Sequence, residues 1–559
     1  MTLPRIAGVG ALIALLSFLT LYPLLMVFYG SLHSAGPGSP GEFNLAGYAA
    51  ILSPRNFWIF VNTLEISLAK TLISLVVAVF FAWTIARTDT PARRQLEVLI
   101  TLPFFIPPIL TATAWAMLGN PKVGAINMAW SSLTGSPDPI VNVYSFGGVV
   151  WHMSQLSVPF LFMFTVDAFR AMDPALEEAS RMAGTSQLGT IRRITLPLML
   201  PAITGAFLLS FMHGIESFES PLFFGLPAGI SVITTEIYES IYHSVKPNYQ
   251  VGAALSFAIM LFMFVLVGLR GWLLRKGTYH TVTGKGYTPR LIKLGPWRWL
   301  TFALCVLFFL LTVVLPVGQL LVGSFYRFFG HYQLDALTLD HYRTVFDSSL
   351  FWRATGNSFL LGLAGASATM ALGAVIAYVV TRTRWGGRRI IDALAWLPWM
   401  MPGMVLGVGM MWGFAMLPGP IDVYGTLWAL FLAYMALGSP IAVRVMSSAY
   451  AQLSPDLEES SRVHGAGWWQ TLWRILVALS WPSFAVGWVL LLFSIMRELS
   501  ASVLLYSVNS EVLAVLLWRW WSEGRIEQVS VVGLMLMTLV IVVRWLQLRF
   551  LNRRISALY

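Results

Sequence analysis

Four ionisable residues stand within two long apolar stretches of the sequence. Glu216 and Glu219 lie in one stretch, and Arg497 and Glu498 lie in the other. Charged side chains at membrane depth are costly, and they usually face a cavity or a partner. One interpretation is that these four line a pathway, because carboxylates suit a hard cation. The other is that they form salt bridges that fix helix packing, for instance between Glu216 and Arg497.

A second charged pattern occurs twice, in two polar segments. Asp173-Pro174 and Ser454-Pro455 each supply a helix N-cap followed by proline at the first helical position. Acidic residues follow in the first turn, where the helix dipole favours anions, and a glycine then ends the helix. The residues of this pattern are Glu177, Glu178, Ala179, Arg181 and Gly184 in the first segment and Glu458, Glu459, Arg462 and Gly465 in the second. We predict one short, exposed helix in each segment.

Residue sets for catalysis or metal binding do not occur in the sequence. The single cysteine, Cys305, excludes a disulfide within the chain, and no Cys/His cluster has zinc-site spacing. The only Gly-Lys pair, Gly284-Lys285, is followed by Gly286, so the phosphate-binding loop of an ATPase is absent. We therefore predict no catalytic residue, no metal site and no cofactor in this chain.

These charged residues must be positioned by long apolar helices. The composition is 57% hydrophobic and 11% charged, whereas a soluble domain is about 25% charged. A helix that crosses a bilayer needs about 20 apolar residues. We predict twelve spans, near 6–29, 58–86, 96–118, 146–169, 197–225, 250–274, 298–323, 354–381, 390–416, 425–446, 477–506 and 528–549. The predicted fold is an all-α integral membrane protein.

The distribution of the net charge of +11 predicts the orientation of the chain. With twelve spans, 26 of the 36 lysines and arginines fall on the side that holds the two termini. The positive-inside rule then places both termini in the cytoplasm. Because the charge is spread over every inner loop, we predict the lipid bilayer as the partner of this protein and no nucleic acid.

The two halves of the sequence are copies of each other. Pairs displaced by 295 residues are Asn62-Thr63 with Asn357-Ser358 and Arg87-Thr88 with Arg382-Thr383, and the acidic pattern recurs after 281 residues. Six spans in each copy preserve sidedness, which predicts two parallel six-helix repeats. The predicted division is a first transmembrane domain, 1–280, a cytoplasmic linker, 281–296, and a second transmembrane domain, 297–559.

The acidic pattern also resembles a loop of a known family. The first copy reads Glu178-Ala179-Ser180, then Gly184, Ile194 and Leu196-Pro197. This resembles the Glu-Ala-Ala…Gly…Ile-x-Leu-Pro loop of bacterial ABC importer permeases. The second copy keeps the spacing but differs in residue type. It has Ser460-Ser461 in place of Ala-Ala and Val477-Ala478 in place of Leu-Pro. Two fused six-span copies further resemble the ferric-iron permeases, which have relatives for thiamine, phosphonates, polyamines and sulfate.

This resemblance implies a permease subunit of the bacterial inner membrane. In that family the loop forms a coupling helix that docks on a cytoplasmic ATPase. The implied partners are therefore two copies of that ATPase, which bind ATP-Mg, and a periplasmic substrate-binding protein. Ferric iron is the implied cargo, and thiamine, phosphonate, polyamine or sulfate is the alternative. An ion-coupled secondary transporter, which needs no ATPase, is the alternative class.

Overall fold

Long helices account for most of the computed structural model, which describes residues 3–243, 246–275, 291–383, 385–417, 422–539 and 542. Within these residues the only β-structure is three isolated bridges. Among the residues described, nine helices are long and apolar enough to cross a membrane: Gly8–Leu32, Pro54–Arg87, Phe146–Ala171, Ile191–Ile215, Tyr249–Trp272, Trp297–Phe325, Ser349–Arg382, Leu427–Gln452 and Leu472–Met496. The predicted all-α membrane fold is confirmed. Most of the predicted linker, 281–296, lies outside the described residues.

Three further apolar segments are bent pairs of helices. The pairs are Arg93–Phe105 with Pro108–Gly119 at 94°, Pro221–Ala228 with Ile233–Tyr242 at 83°, and Arg388–Met400 with Gly403–Ala415 at 109°. Pro107 and Pro402 lie at the first and third breaks. A helix is interrupted at such a residue because proline lacks the N–H that would continue it. If each pair is one crossing, the described residues contain up to twelve spans.

The predicted fifth and eleventh spans, 197–225 and 477–506, are too long. The observed helices end at Ile215 and Met496, where Glu216 and Arg497 bring charge into the apolar sequence. In each copy the chain then enters a short helical hairpin. We call Pro221–Ala228 with Ile233–Tyr242 the first hairpin, and Ser502–Leu505 with Leu513–Ser522 the second hairpin. The last predicted span, 528–549, begins as Ile526–Leu539, and nearly all of its remainder lies outside the described residues.

Shorter helices lie in the connections. They are Ala46–Ile51, Ala125–Thr134, Pro174–Met182, Gln187–Thr190, Asp340–Asp347, Pro455–Val463 and Trp468–Thr471. Pro174–Met182 and Pro455–Val463 fall on the repeated acidic pattern, as predicted. We call them the first and second loop helices.

The first membrane helix of each copy packs against the other copy. Gly8–Leu32 packs on the bent segment of the second copy, where Tyr22 Oη donates to the Gly413 carbonyl at 2.9 Å. Trp412 lies against Gly30, which has no side chain to obstruct it. Trp297–Phe325 makes the corresponding contact with Pro108–Gly119 of the first copy, where Met117 lies against Gly323. One continuous apolar core therefore includes residues of both copies.

The first hairpin is held by the start of the helix Pro54–Arg87. Thr63 Oγ1 accepts the backbone N–H of Ile233 at 3.0 Å, which satisfies a donor that a helix start leaves without an internal partner. Asn62 Nδ2 donates to the Ser231 carbonyl at 3.4 Å, and Arg55 pairs with Glu236 at 3.1 Å.

The second hairpin is held in the same way by the helix Ser349–Arg382. Ser358 Oγ accepts the backbone N–H of Leu513 at 2.7 Å, Asn357 Nδ2 donates to the Glu511 carbonyl at 2.9 Å, and Arg353 pairs with the Glu511 carboxylate at 3.2 Å. The repeated Asn-Thr/Ser pair of the sequence therefore anchors a hairpin in each copy.

Candidate functional site

The N-termini of both loop helices are capped as their sequences predict. Asp173 Oδ1 accepts the backbone N–H of Ala175 at 2.9 Å, and Ser454 Oγ accepts that of Asp456 at 3.3 Å. Each proline at the first helical position has no N–H to satisfy. Both loop helices therefore begin at their predicted residues.

The C-termini of the loop helices end at the predicted glycines. Gly184 and Gly465 have φ values of +82° and +80°, a left-handed conformation that only glycine adopts at low cost. The next residue folds back in both copies, where Thr185 N–H donates to the Ser180 carbonyl and Ala466 N–H to the Ser461 carbonyl, each at 3.1 Å. This is the Schellman pattern of helix termination.

Buried arginines hold the loop helices to the membrane helices. Arg87, in the last turn of Pro54–Arg87, is fully buried, and its Nη2 lies 2.5 Å from Glu177 Oε2. Thr195 Oγ1 donates to the other oxygen of the same carboxylate at 2.7 Å. Glu177, one of the predicted coupling residues, therefore faces the membrane helices and anchors the first loop helix.

The second copy repeats this arrangement with looser geometry. Arg382 Nε lies 3.5 Å from Glu458 Oε1, and Arg462 Nη2 lies 3.6 Å from Glu458 Oε2. Arg382 Nη2 also donates to the Leu453 carbonyl at 2.6 Å. Glu458 therefore serves as the anchor of the second loop helix, although its carboxylate is held at longer distances than that of Glu177.

A hydroxyl pair braces each loop helix against the helix that follows it. Ser180 Oγ lies 3.1 Å from Thr190 Oγ1 in the first copy, and Ser461 Oγ lies 3.0 Å from Thr471 Oγ1 in the second. These pairs are related by the displacement of 281 residues. Ser461 stands where the family pattern has alanine, as Ser180 does in the first copy, and both hydroxyls take part in the brace.

The remaining face of each loop helix is open to solvent. Leu176 and Leu457, which are equivalent, are 47% and 43% exposed, and the equivalent Met182 and Val463 are 89% and 85% exposed. Ala179 and Glu459 are also exposed, whereas Glu178 is partly buried and has an interaction of its own. The side chain of Arg181 lies outside the described residues. Both copies therefore present a mixed apolar and acidic surface.

The four predicted pathway residues lie at the ends of equivalent helices. Glu216 Oε1 lies 2.8 Å from His213 Nδ1. Arg497 Nη1 donates to the Phe104 carbonyl of the other copy at 2.8 Å, and its guanidinium lies 5.1 Å from the centre of the Phe104 ring. The Glu216–Arg497 pair suggested by the sequence is wrong, because Glu216 instead pairs with His213, and the carboxylates that attract Arg497 are Glu219 and Glu498.

Glu498 also forms a contact within its own copy. Glu498 Oε1 accepts the backbone N–H of Ala501 at 3.0 Å, so part of its role is to cap the turn that starts the second hairpin. No group of three or more His, Cys, Asp or Glu residues could hold a metal ion within the described part of the chain. The intramembrane charges thus form contacts between copies and within turns.

Sequence reasoning missed Arg87 and Arg382 as partners of the loop helices. The signal was present, because Arg87-Thr88 and Arg382-Thr383 recur at a fixed displacement. It did not show which residue each arginine meets, since Glu177 lies 90 positions away along the chain.

Comparison with known families gives a match in each copy. The model of the binding-protein-dependent transport system inner membrane component family matches residues 74–278 and, a second time, residues 369–557. Together the two matches cover more than half of the chain. The chain belongs to this family. It is therefore a multi-pass inner-membrane component of a transport system, with two family units fused in one polypeptide.

Three known proteins align with most of this chain. A ferric transport system permease protein of Actinobacillus pleuropneumoniae is 24% identical over 97% of this chain and 78% of the relative. A putative ferric transport system permease protein of Haemophilus influenzae is 25% identical over 91% of this chain and 79% of the relative. An Fe(3+)-transport system permease protein of the same organism is 24% identical over 87% of this chain and 88% of the relative.

Proposed function

We propose that this permease imports ferric iron across the bacterial inner membrane, using ATP that a separate subunit hydrolyses. Three relatives that each align with more than four fifths of this chain are named as ferric or Fe(3+) transport permeases. Family membership favours binding-protein-dependent import over the ion-coupled alternative. The periplasmic partner is a substrate-binding protein that delivers iron to the outer loops, and both termini lie in the cytoplasm.

The observation that best supports this proposal is that a loop helix of the same design occurs in each copy. Both copies have the same caps, the same arginine anchor and the same hydroxyl brace, and they expose the same apolar positions. A solvated turn between two spans would not need this repetition. We infer that each loop helix docks on one copy of a cytoplasmic ATPase, and that Mg-ATP is held by those two subunits. The exposed Leu176 and Leu457 would be covered by that contact.

The anchors also indicate how force from the ATPase reaches the opposite side of the membrane. The helix Pro54–Arg87 holds the first loop helix through Arg87 at one end and the first hairpin through Thr63 near the other. A helix of 34 residues is about 50 Å long at 1.5 Å per residue. Displacement of the loop helix would therefore be transmitted along one rigid element to the hairpin.

The pathway itself is proposed to pass between the two copies, near Glu216, Glu219, Arg497 and Glu498. Arg497 bonds to a carbonyl of the opposite copy, so rocking the copies apart would break this contact. Alternating access would then follow from the movement of the two six-helix units relative to each other.

The test is uptake of ⁵⁵Fe³⁺ into proteoliposomes that contain this chain, the ATPase of its own operon and the cognate binding protein. We expect uptake only when ATP is enclosed with the ATPase, and we expect unlabelled thiamine, phosphonate, spermidine or sulfate not to compete. Uptake driven by an ion gradient without the ATPase would overturn the ATP-driven mechanism. Competition by one of the other cargoes would overturn ferric iron.

A further inference from the structure

Two phenol groups from different copies meet at one carbonyl oxygen. Tyr242, at the end of the first hairpin, donates its hydroxyl to the Leu504 carbonyl at 3.2 Å. Tyr424, which precedes the helix Leu427–Gln452 of the second copy, donates to the same carbonyl at 3.3 Å. Three oxygen atoms therefore converge at the boundary between the copies.

More tyrosines surround this point. Tyr249 and Tyr506 interact electrostatically with both Tyr242 and Tyr424. Tyr238 accepts a hydrogen bond from Trp518 Nε1 at 3.1 Å, which joins the first hairpin to the second. Five phenols, from both copies, thus lie together between the hairpins.

The cluster lies on the face opposite the loop helices, and solvent reaches it. Thr63, near the start of Pro54–Arg87, holds the first hairpin, whereas Arg87 at the end of the same helix holds the first loop helix. The side chain of Tyr242 is 42% exposed, and Tyr424 is partly exposed. The cluster therefore lies on the side of the membrane from which a delivered ligand would arrive.

The spacing of the three oxygens is close to that of one face of an octahedral metal site. Neighbouring oxygens in such a site lie about 3.0 Å apart when the metal–oxygen bonds are about 2.1 Å. The distances of 3.2 Å and 3.3 Å to the Leu504 carbonyl oxygen need only a small contraction to reach this value. The remaining positions of the metal would be left for water or for an incoming chelator.

The donor chemistry suits ferric iron. A phenolate is a hard, anionic oxygen ligand, and tyrosine is one of the protein ligands that bind iron. No cluster of three or more His, Cys, Asp or Glu residues offers an alternative metal site among the residues described. On binding Fe³⁺, each of the two phenols would release one proton to solvent, because a metal ligand must be deprotonated. The oxidation state of iron does not change.

We propose that Tyr242, Tyr424 and the Leu504 carbonyl form a receiving site for ferric iron at the outer mouth of the pathway. This inference rests on the proposed ferric import. It assigns to the permease itself a first contact with the cargo after the binding protein releases it. The alternative is that these hydrogen bonds only hold the two copies together. That alternative predicts no iron binding.

The experiment is a titration of the purified full-length chain in lipid nanodiscs with ferric citrate, followed by visible absorption. Coordination of a phenolate to Fe³⁺ produces a charge-transfer band that neither free ferric citrate nor the apoprotein shows. We expect this band in the wild-type protein, and we expect the double variant Tyr242→Phe/Tyr424→Phe to lose it. Tyr332→Phe is the matched control and should retain the band, since the Tyr332 hydroxyl lies in a different loop and accepts a hydrogen bond from Gln319.

Absence of the band in the wild-type protein, or its full retention in the double variant, would overturn the receiving site. Melting temperature and ⁵⁵Fe uptake distinguish this failure from a failure of the proposed function. A wild-type protein that imports ferric iron with ATP but shows no band contradicts only the receiving site. If the double variant melts far below the wild type, the single variants Tyr242→Phe and Tyr424→Phe are titrated, and each should weaken the band.

Discussion

Arg87 Nη2 lies 2.5 Å from Glu177 Oε2, and it joins the end of a 34-residue helix to the loop helix beside it. The guanidinium is fully buried and the carboxylate nearly so. A buried ion pair contributes little net stability, because desolvation of the charges offsets their attraction, but removal of one partner is costly. The pair is therefore suited to fix the position of the loop helix.

The first prediction is that Glu177→Gln detaches the first loop helix. The variant leaves the buried Arg87 guanidinium without its carboxylate, and losses of this kind cost about 3–5 kcal/mol. We expect faster hydrogen exchange in Pro174–Met182 and weaker stimulation of the ATPase. The control is Asp138→Asn, which neutralises an exposed carboxylate outside the loop helices and leaves Arg87 paired. Equal exchange in both variants would show that Glu177 is not the anchor.

The second prediction is that Glu458→Gln has a smaller effect than Glu177→Gln. Arg382 Nε lies 3.5 Å from Glu458, and Arg382 keeps a bond to the Leu453 carbonyl after the carboxylate is neutralised. The measurement is hydrogen exchange in Pro455–Val463, with the exposed Glu459→Gln as control. An effect as large as that of Glu177→Gln would contradict the looser geometry of the second copy.

Local sequence signals predicted the loop helices almost completely. Asp173 and Ser454 cap them, and Gly184 and Gly465 end them, because caps and terminating glycines act over only a few residues. Contacts between distant segments were not predictable in this way. The bond from Arg497 to Phe104 spans 393 positions, and nothing in the apolar sequence around residue 104 indicates that a carbonyl there accepts a bond.

The hairpins illustrate the same limit. The apolar sequence continues past Ile215 and Met496, where the two helices end. Apolar length alone therefore predicts spans that are longer than the observed helices. The hydrogen bonds that turn the chain into the hairpins come from Thr63 and Ser358, far away along the sequence. The repeated Asn-Thr/Ser pair was visible, but its meaning depended on the tertiary contact.

The third prediction concerns Thr63, whose hydroxyl accepts the N–H of Ile233. Thr63→Val keeps the shape of the side chain and leaves that buried N–H unsatisfied, at a cost of about 1–3 kcal/mol. We expect iron uptake to fall while ATPase association is unchanged, because the loop helix is untouched. Thr344→Val, at an exposed hydroxyl, is the control. Loss of ATPase association in the Thr63 variant would indicate general misfolding.

The fourth prediction concerns the contact between copies at Arg497. Arg497→Met removes the donor to the Phe104 carbonyl and leaves Glu219 and Glu498 without the cation that attracts them. We expect ferric uptake to fall by about tenfold or more, which corresponds to about 1.4 kcal/mol. Arg497→Lys keeps the charge and should retain part of the uptake. Equal activity of the two variants would show that the charge is not what the site requires.

The last prediction tests the docking of the loop helices. Glu459→Lys reverses a charge that is exposed on the second loop helix without disturbing the buried Glu458 anchor. If this surface contacts the ATPase, co-purification of the ATPase should weaken and should depend more strongly on salt, because an exposed charge acts through a screened field. Asp138→Lys makes the same change of charge in the exposed segment that precedes the helix Phe146–Ala171, and it should leave association unchanged. Normal association in the Glu459 variant, combined with full iron uptake, would mean that the acidic residue of this loop helix takes no part in docking.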